Sequence, residues 1–234
     1  MDNIIEINNL SFHYPDGKMA LKGISLKVMH GEKIALVGAN GAGKSTLLLH
    51  LNGILEGMGQ IFINGMELKK DNLGQIRGLV GIVFQNPDDQ LFSPTVFEDV
   101  AYGPIYQGYD KKTVEGKVDQ ALAAVHMTDF VNRIPYHLSG GEKKRIAIAT
   151  VLSMQPQILV FDEPTSGLDP RARRELIELL LELPQTMLIA THDLRLAEVL
   201  TSRTVILDQG SIVADGPSTT LLNDRELLKT YGLW

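Results

Sequence analysis

One stretch of the sequence decides the fold: Ile34-Ala35-Leu36-Val37-Gly38-Ala39-Asn40-Gly41-Ala42-Gly43-Lys44-Ser45-Thr46. Four apolar residues lead into a glycine-rich turn that ends in Lys-Ser-Thr, which matches the phosphate-binding pattern G-x-x-x-x-G-K-[ST]. Glycines allow backbone angles that a Cβ would forbid, so their N–H groups can turn inward around an anion. Lys44 can bring a mobile charge to the β- and γ-phosphates, and the Ser45 hydroxyl suits Mg²⁺. A ligand-free glycine turn is the weaker interpretation, because the flanking strand and helix are both predicted.

The composition limits the possible classes of protein. The 234 residues are 44% apolar, enough for a full core in one domain, with room for an inserted subdomain. A net charge of −6 argues against a nucleic-acid partner. The absence of cysteine excludes disulfides and thiolate metal sites. The N-terminus lacks a signal-peptide pattern, and no apolar run approaches the roughly 20 residues that cross a bilayer. We therefore expect a soluble chain whose membrane role comes through a partner.

Strands and helices alternate along most of the chain. Residues 2–14 and 23–28 alternate between apolar and polar, and we interpret the first as an edge strand. Continuous apolar runs predict buried strands at 34–37, 79–84, 158–161 and 187–190, and helices are predicted at 45–52, from Asp169 and at 193–200. Hairpins are predicted at Asn64-Gly65 and Gln209-Gly210.

Residues 88 to about 154 have a different pattern. They lack β-type runs and show helical spacing at Val114, Val118, Leu122 and Val125. The prediction is an α/β fold with a parallel sheet, an antiparallel β subdomain and an inserted α-helical subdomain over 88–154. In parallel α/β sheets the ligand lies outside the carboxyl ends of the strands, so polar residues there should converge.

Two carboxylates follow the apolar run Ile158 to Phe161. Buried acids are costly unless they are paired or bound to metal. Asp162 suits contact with Mg²⁺, directly or through water, and Glu163 is placed to orient or deprotonate a water molecule. A strand-end Asp-Glu in a polar turn is the alternative, which the phosphate loop makes weaker.

Leu138-Ser139-Gly140-Gly141-Glu142 precedes another predicted helix. Ser139 and Glu142 have capping-box spacing. A capping box does not need two glycines, each of which costs about 1 kcal/mol in a helix. We therefore expect both a capping box and a ligand phosphate close to the backbone.

Three further residues are ambiguous alone. His192 ends a strand expected beside that of Glu163, although a lone strand-end histidine is usually structural. Gln85 ends another strand and could bind water or Mg²⁺. Tyr14 could stack on a purine base or simply pack.

Together these motifs resemble those of the ATP-binding-cassette (ABC) ATPases, and the resemblance covers essentially the whole chain. It assigns Walker A to Gly38–Thr46, the A-loop aromatic to Tyr14, the Q-loop to Gln85, the signature to Leu138–Glu142, Walker B to Ile158–Glu163, the D-loop to Ser166–Asp169 and the switch histidine to His192. Glu142 departs from the commonest signature, which has Gln. The RecA-like core would cover about 1–87 and 155–234.

The resemblance implies an ATPase that uses ATP and Mg²⁺ in a head-to-tail dimer of such domains. Each ATP would lie between the phosphate loop of one copy and Ser139, Gly140 and Gly141 of the other. Lys44, Glu163 and His192 would be catalytic, Ser45, Gln85 and Asp162 would hold Mg²⁺, and Asp169 would cross the interface. Because both sites look intact in one sequence, a homodimer is favoured.

Residues 83–104 are the most specific stretch for subtype. They are similar to the ATPases of energy-coupling-factor importers, and the short C-terminal tail favours cobalt or nickel uptake over vitamin uptake. The implied partners are a membrane-spanning coupling subunit and a substrate-binding membrane subunit, at the cytoplasmic face of the cell membrane. The stretch also suggests a docking surface with acidic and apolar residues, namely Asp88, Asp89, Glu98, Asp99, Leu91, Phe92 and Phe97. A solvated acidic loop is the alternative.

Other classes remain open from the sequence. Another ABC transporter ATPase, including a stand-alone exporter ATPase, is possible. Soluble ABC ATPases of DNA or ribosome function form a non-transport alternative, but they typically have coiled-coil insertions or two cassettes, and neither is present in the sequence. A small-molecule P-loop kinase would lack the signature motif.

Overall fold

The computed structural model describes residues 3–234. Within them the strands are β1 (Asn3–His13), β2 (Met19–Met29), β3 (Lys33–Val37), β4 (Met58–Ile63), β5 (Met66–Glu67), β6 (Val80–Val83), β7 (Ile158–Asp162), β8 (Thr186–Thr191), β9 (Arg203–Asp208) and β10 (Ser211–Pro217). The α-helices are α1 (Lys44–His50), α2 (Leu73–Leu79), α3 (Val96–Tyr106), α4 (Lys111–Ala124), α5 (Gly140–Leu152), α6 (Pro170–Glu182), α7 (Leu194–Leu200), α8 (Ser218–Leu221) and α9 (Arg225–Thr230).

The chain forms two compact units. Unit 1 comprises residues 3–82, Gln157–Glu163 and Pro184–Trp234, and unit 2 comprises Val83–Pro156 and Pro164–Leu183. Unit 2 therefore takes in α6 as well as the helices expected over 88–154. The physical reason is that α6 packs against α5 and is tied to it by an ion pair between Glu175 and Arg145.

An antiparallel sheet of unit 1 has the order β2-β1-β4-β5. β1 pairs with β2 on one side and with β4 on the other, so its prediction as an edge strand is wrong. Alternation in a sequence reports which side chains are buried, not which backbone edges are paired. Asp2, which the prediction included, lies outside the described residues. The turn at Asn64-Gly65 is confirmed, and both residues have the positive φ that a tight hairpin needs.

The main sheet of unit 1 has the order β10-β9-β3-β8-β7-β6. The pairs β3–β8, β3–β9 and β7–β8 are parallel, and β10 closes one edge as the antiparallel hairpin predicted at Gln209-Gly210. Residues 34–37 and 158–161 are completely buried, which agrees with their continuous apolar pattern. This arrangement brings the carboxyl ends of β3, β7 and β8 to one edge.

Unit 2 has a helical core in which α3, α4 and α5 pack against one another. The spacing of Val114, Val118 and Leu122 places them on the buried face of α4, as predicted. Two of these helices start with a capping box, at Thr95 for α3 and at Ser139 for α5. Across the described residues, no helix is both long enough and apolar enough to cross a membrane.

Candidate active site

The phosphate loop connects β3 to α1 in unit 1. Gly43 is the N-cap of α1 with a φ of 107°, and a Cβ there would lie 2.7 Å from the Ala20 carbonyl oxygen. Only glycine satisfies both conditions. Gly38, unlike Gly41 and Gly43, does not have a positive φ. It is required for packing instead, because a Cβ there would collide with the Leu207 carbonyl of β9.

Lys44 is buried in the first turn of α1. Its Nζ donates to the carbonyls of Gly38 at 2.7 Å and Ala39 at 3.2 Å. Burial lowers the pKa of Lys44, while the carboxylates of Glu163 and Asp162 oppose that shift. The ammonium group is thus held within the loop and shares its electrostatic environment with the two strand-end acids.

Tyr14 is tied to the same loop. Its hydroxyl lies 2.9 Å from Thr46 Oγ1, and its ring meets the edge of Phe12 with centroids 5.0 Å apart. This hydrogen bond shows how Tyr14 is held in place. The sequence alone had left two alternatives for its ring, stacking on a base or packing in the protein. The hydrogen bond fixes an aromatic ring beside the start of α1.

His50 lies behind this ring pair and is buried. Its Nδ1 lies 2.7 Å from the Thr46 carbonyl, and its ring packs edge-on against Phe12 with centroids 4.8 Å apart. Burial lowers the pKa of His50 below its ordinary 6.5, and the hydrogen bond to Thr46 only partly opposes this. His50 therefore packs as a neutral imidazole against Phe12. Because Phe12 contacts Tyr14, this packing holds Tyr14 beside α1.

We expect this histidine to make the chain sensitive to mild acid. Below a pH of about 6.5 the unfolded chain binds a proton on His50 that the folded chain resists, so the free energy of unfolding falls as the pH drops. Thermal unfolding of wild type and His50→Gln across that range measures the effect. The wild type should lose stability more steeply, whereas His30→Gln, at an exposed histidine, should keep the wild-type slope. Equal slopes for wild type and His50→Gln would contradict the prediction.

The ends of β7 and β8 hold the acid and the histidine together, as predicted from their strands. Glu163 Oε1 lies 2.8 Å from His192 Nδ1, and Glu163 Oε2 accepts from Thr191 Oγ1 at 3.2 Å and from the His192 backbone N–H at 3.3 Å. A carboxylate oxygen accepts hydrogen bonds, so His192 Nδ1–H is the donor in this pair. The Glu163 side chain is 10% exposed, and the three donors named above hold its carboxylate in place.

Glu163 has an unusual backbone. Its φ is 46°, in the left-handed region that non-glycine residues rarely adopt. Such strain persists where the surroundings impose it and clusters at active sites. The sequence did not reveal this geometry or the contribution of Thr191, although the strand-end rule that selected His192 could have selected its neighbour.

The predicted signature residues, Gln85 and Asp169 lie in unit 2, whereas Ser45 and Asp162 lie in unit 1. Ser139 caps α5: its backbone N–H donates to Glu142 Oε2 at 2.7 Å, and its Oγ accepts from the Glu142 N–H at 3.4 Å. A cap of this kind contributes about 1 kcal/mol. A Cβ on Gly141 would lie 2.9 Å from the Ala172 Cβ, so this glycine is needed for helix packing. A Cβ on Gly140 would be 4.0 Å from its nearest neighbour, so packing does not require glycine at this position. Close approach of a ligand to the backbone remains the explanation for Gly140.

Gln85 and the 166–168 segment meet within unit 2. Gln85 Nε2 lies 3.5 Å from Ser166 Oγ. A cavity of about 360 Å³ separates this pair from the start of α5, and it is lined by Gln85, Asn86, Pro87, Asp88, Leu138, Gly140, Lys143, Lys144, Ser166, Gly167 and Leu168. Three sequence motifs thus border one space.

Asp169 is the N-cap of α6, as predicted. Its Oδ1 accepts from the backbone N–H of Arg171 at 2.8 Å and of Ala172 at 3.0 Å. These two hydrogen bonds hold the pKa of Asp169 below its ordinary value, and the bond from Ala172 has the larger effect. Capping alone therefore accounts for an aspartate at this position.

Comparisons with known proteins identify the family. Residues 21–166 match the family described as ABC transporter. The chain belongs to the ABC transporter family. The energy-coupling factor transporter ATP-binding protein EcfA of Methanothermobacter thermautotrophicus is 50% identical over 98% of this chain and 76% of its own length. The EcfA protein of Methanocaldococcus jannaschii is 48% identical over 98% of this chain and 85% of its own length.

Solved structures agree with this ABC transporter assignment. The structure of cbiO1 from Clostridium perfringens, described as part of the ABC transporter complex cbiONQ, has a TM-score of 0.88 at 35% identity and covers 100% of this chain and 96% of its own. The α/β fold with a parallel sheet and an antiparallel sheet is confirmed. As an ABC transporter ATP-binding subunit, the chain is an ATPase whose hydrolysis is coupled to transport.

In the stretch 83–104 of this ABC transporter subunit, some residues predicted to form a docking surface are buried. Asp99 is buried, and its Oδ1 accepts from the backbone N–H groups of Phe92 at 3.1 Å and Ser93 at 2.9 Å. Leu91 is also buried. The prediction of these two residues as docking residues is wrong, because a carboxylate that caps a loop and a leucine in the core are unavailable to a partner.

Proposed function

We propose that this chain is the ATP-hydrolysing subunit of an energy-coupling-factor importer, with cobalt or nickel ions as cargo. The hydrogen-bonded Glu163–His192 pair carries the proposal for the chemistry. Identity of about one half to EcfA proteins over nearly the whole chain supports the importer type. The cargo rests on the resemblance of residues 83–104 and of the C-terminal tail to cobalt and nickel uptake ATPases. A vitamin importer is the second candidate.

In this proposal the reaction is in-line hydrolysis of ATP. A water oxygen bonds to the γ-phosphorus as the bond from that phosphorus to the β,γ-bridging oxygen breaks, giving ADP and phosphate. Glu163 accepts the proton of the water, or orients it, and His192 contacts the γ-phosphate. Lys44 exchanges its loop carbonyls for β- and γ-phosphate oxygens, and Tyr14 stacks on the base.

Mg²⁺ would be held beside the phosphates. Ser45 is exposed in the first turn of α1 and Asp162 ends β7, which gives one hydroxyl and one carboxylate in unit 1. This donor set fits Mg²⁺, which uses one or two protein oxygens and keeps several waters. When bound, the ion would neutralise charge on the phosphates. Gln85 would add a carbonyl oxygen.

Two copies would close the site. Residues 38–46 of one copy would hold ATP against Ser139, Gly140 and Gly141 of the other, with Asp169 crossing between them. The openness around Gly140 supports this arrangement, because no residue of the described chain fills the space that a Cβ would occupy. A homodimer is the simplest assembly with two equivalent sites.

A membrane subunit would dock on an aromatic patch of unit 2. The patch consists of Phe92, Tyr102, Ile105 and Tyr106, which are between 58% and 86% exposed. Three of them share one face of α3 by their spacing, and Phe92 meets the edge of Tyr102 with centroids 5.3 Å apart. Exposed aromatic clusters are typical interface anchors. Exposed Asp89 adds the negative charge that would favour a basic helix of the partner.

We expect Phe92→Ser/Tyr106→Ser to lower recovery of membrane subunits. The chain is co-expressed with the membrane proteins of its gene neighbourhood and purified in detergent. Loss of two anchors of at least 1–2 kcal/mol each should reduce recovery by about tenfold or more, while ATPase activity of the isolated chain is unchanged. Met58→Ser, at an exposed residue of β4, is the matched control. Undiminished recovery of the double variant would contradict the patch.

The recovered complex also tests the cargo. In vesicles, ATP-dependent uptake of Co²⁺ or Ni²⁺ would support the proposal. Uptake of a vitamin and not of either metal would favour the second candidate, and the absence of any co-purifying membrane subunit would contradict both.

A further inference from the structure

Two lysines follow the signature motif at an unexpected place. Lys143 and Lys144 lie near the N-terminus of α5, where the helix dipole disfavours cations. Lys144 is only 4% exposed, although lysine is almost never buried without a partner. Specific contacts must offset these costs.

Both lysines bind the segment 85–90. Lys144 Nζ donates to the Gln85 carbonyl oxygen at 2.7 Å. Lys143 Nζ pairs with Asp88 Oδ1 at 2.7 Å, and the Lys143 side chain is largely buried. The bond from Lys144 reaches the backbone of Gln85, and the Gln85 side chain is proposed to contact Mg²⁺ and water. Lys144 therefore fixes the position of Gln85.

A third side chain ties the far end of the segment to the same helix. Gln90 Nε2 donates to the Ala147 carbonyl and to Thr150 Oγ1, each at 2.7 Å, and its Oε1 accepts from the Phe84 N–H at 3.2 Å. The segment is therefore attached to α5 along about two turns, and α5 begins at Gly140.

We propose that Lys144 is a positioning residue that makes the Gln85 backbone move together with the signature end of α5. Lys143 and Asp88 form a second, weaker tie, because Asp88 is largely exposed and solvent screens the pair. The inference rests on the proposed function, in which Gln85 and Gly140 serve ATP sites. Displacement of the segment after Gln85 would then be transmitted to the residues that close the site on the partner's ATP.

The test compares Lys144→Met with Lys144→Arg in the full chain. Met preserves the apolar stem and removes the donor, whereas Arg keeps a cationic donor. The Met variant should stay folded and bind a fluorescent ATP analogue within about twofold of wild type, because Lys144 is not among the proposed ATP ligands. Its kcat should fall about tenfold, in the range found for residues that couple sites, and Arg should restore it to within about threefold. Lys111→Met, at a lysine whose side chain is 91% exposed, is the control.

A stable Lys144→Met chain with wild-type kcat would overturn the inference, and so would an Arg variant as slow as Met. If Lys144→Met does not fold, the second tie provides the test: Lys143→Met should lower kcat about threefold, and the swap Lys143→Asp/Asp88→Lys should restore it. A wild-type kcat in Lys143→Met, or no recovery in the swap, would then overturn it. These assays use the chain alone, so they give a result even if no membrane subunit is recovered and the importer proposal fails.

Discussion

Glu163→Gln should lower the ATP turnover number by about 10²–10⁴-fold, the usual contribution of a positioned general base. Glutamine keeps the size of the side chain and an acceptor for the Thr191 hydroxyl and the His192 N–H, but it cannot take a proton from water. ATP affinity should remain close to that of wild type. Turnover is measured by phosphate release and affinity with a fluorescent ATP analogue.

The matched control for this variant is Glu178→Gln, at an exposed glutamate on α6. It makes the same chemical change away from the strand ends and should keep wild-type turnover. Wild-type turnover in Glu163→Gln would refute the proposed role of Glu163.

Lys44→Ala should weaken ATP binding about 100-fold, equivalent to about 2.7 kcal/mol, which is reasonable for a buried cation that bonds two phosphates. The folded state should survive, because the substitution removes a buried charge whose partners, the Gly38 and Ala39 carbonyls, lie in a loop. Titration calorimetry measures the affinity, and thermal unfolding checks the fold.

Lys22→Ala provides the comparison, because Lys22 is exposed on β2. It should bind ATP as wild type does. If Lys44→Ala also binds like wild type, the phosphate loop does not hold ATP in the proposed way.

Much of the fold could be predicted because its signals are local. The apolar runs that become β3, β7 and β8 are buried on both faces, and such runs need no tertiary information to be recognised. The hairpins follow from residues that tolerate positive φ, and the helix starts at Ser139 and Asp169 follow from capping chemistry.

What the sequence did not reveal are contacts that form only in the folded chain. The pairing of β1 on both sides depends on β4, which is about 50 residues away. The sequence suggested only ligand approach for Gly141, and the fold adds a second requirement, its packing against α6. Asp99 looked like surface charge, but it caps its own loop. In each case only the folded structure shows which neighbouring residue requires that side chain or that glycine.

In the candidate site, too, some features could be predicted from local patterns and others could not. The strand-end rule placed Glu163 beside His192, and this was confirmed. The left-handed backbone of Glu163 and the burial of Lys144 were not predicted, because both result from packing that no local pattern records.

The most direct test of the central claim, that two copies of this chain close on ATP, is the solution mass of Glu163→Gln with ATP and Mg²⁺. Light scattering after size-exclusion chromatography should give the mass of a dimer with ATP and that of a monomer without it. Lys44→Ala/Glu163→Gln should remain monomeric in both conditions. A Glu163→Gln chain that binds ATP but keeps the monomer mass would contradict the account.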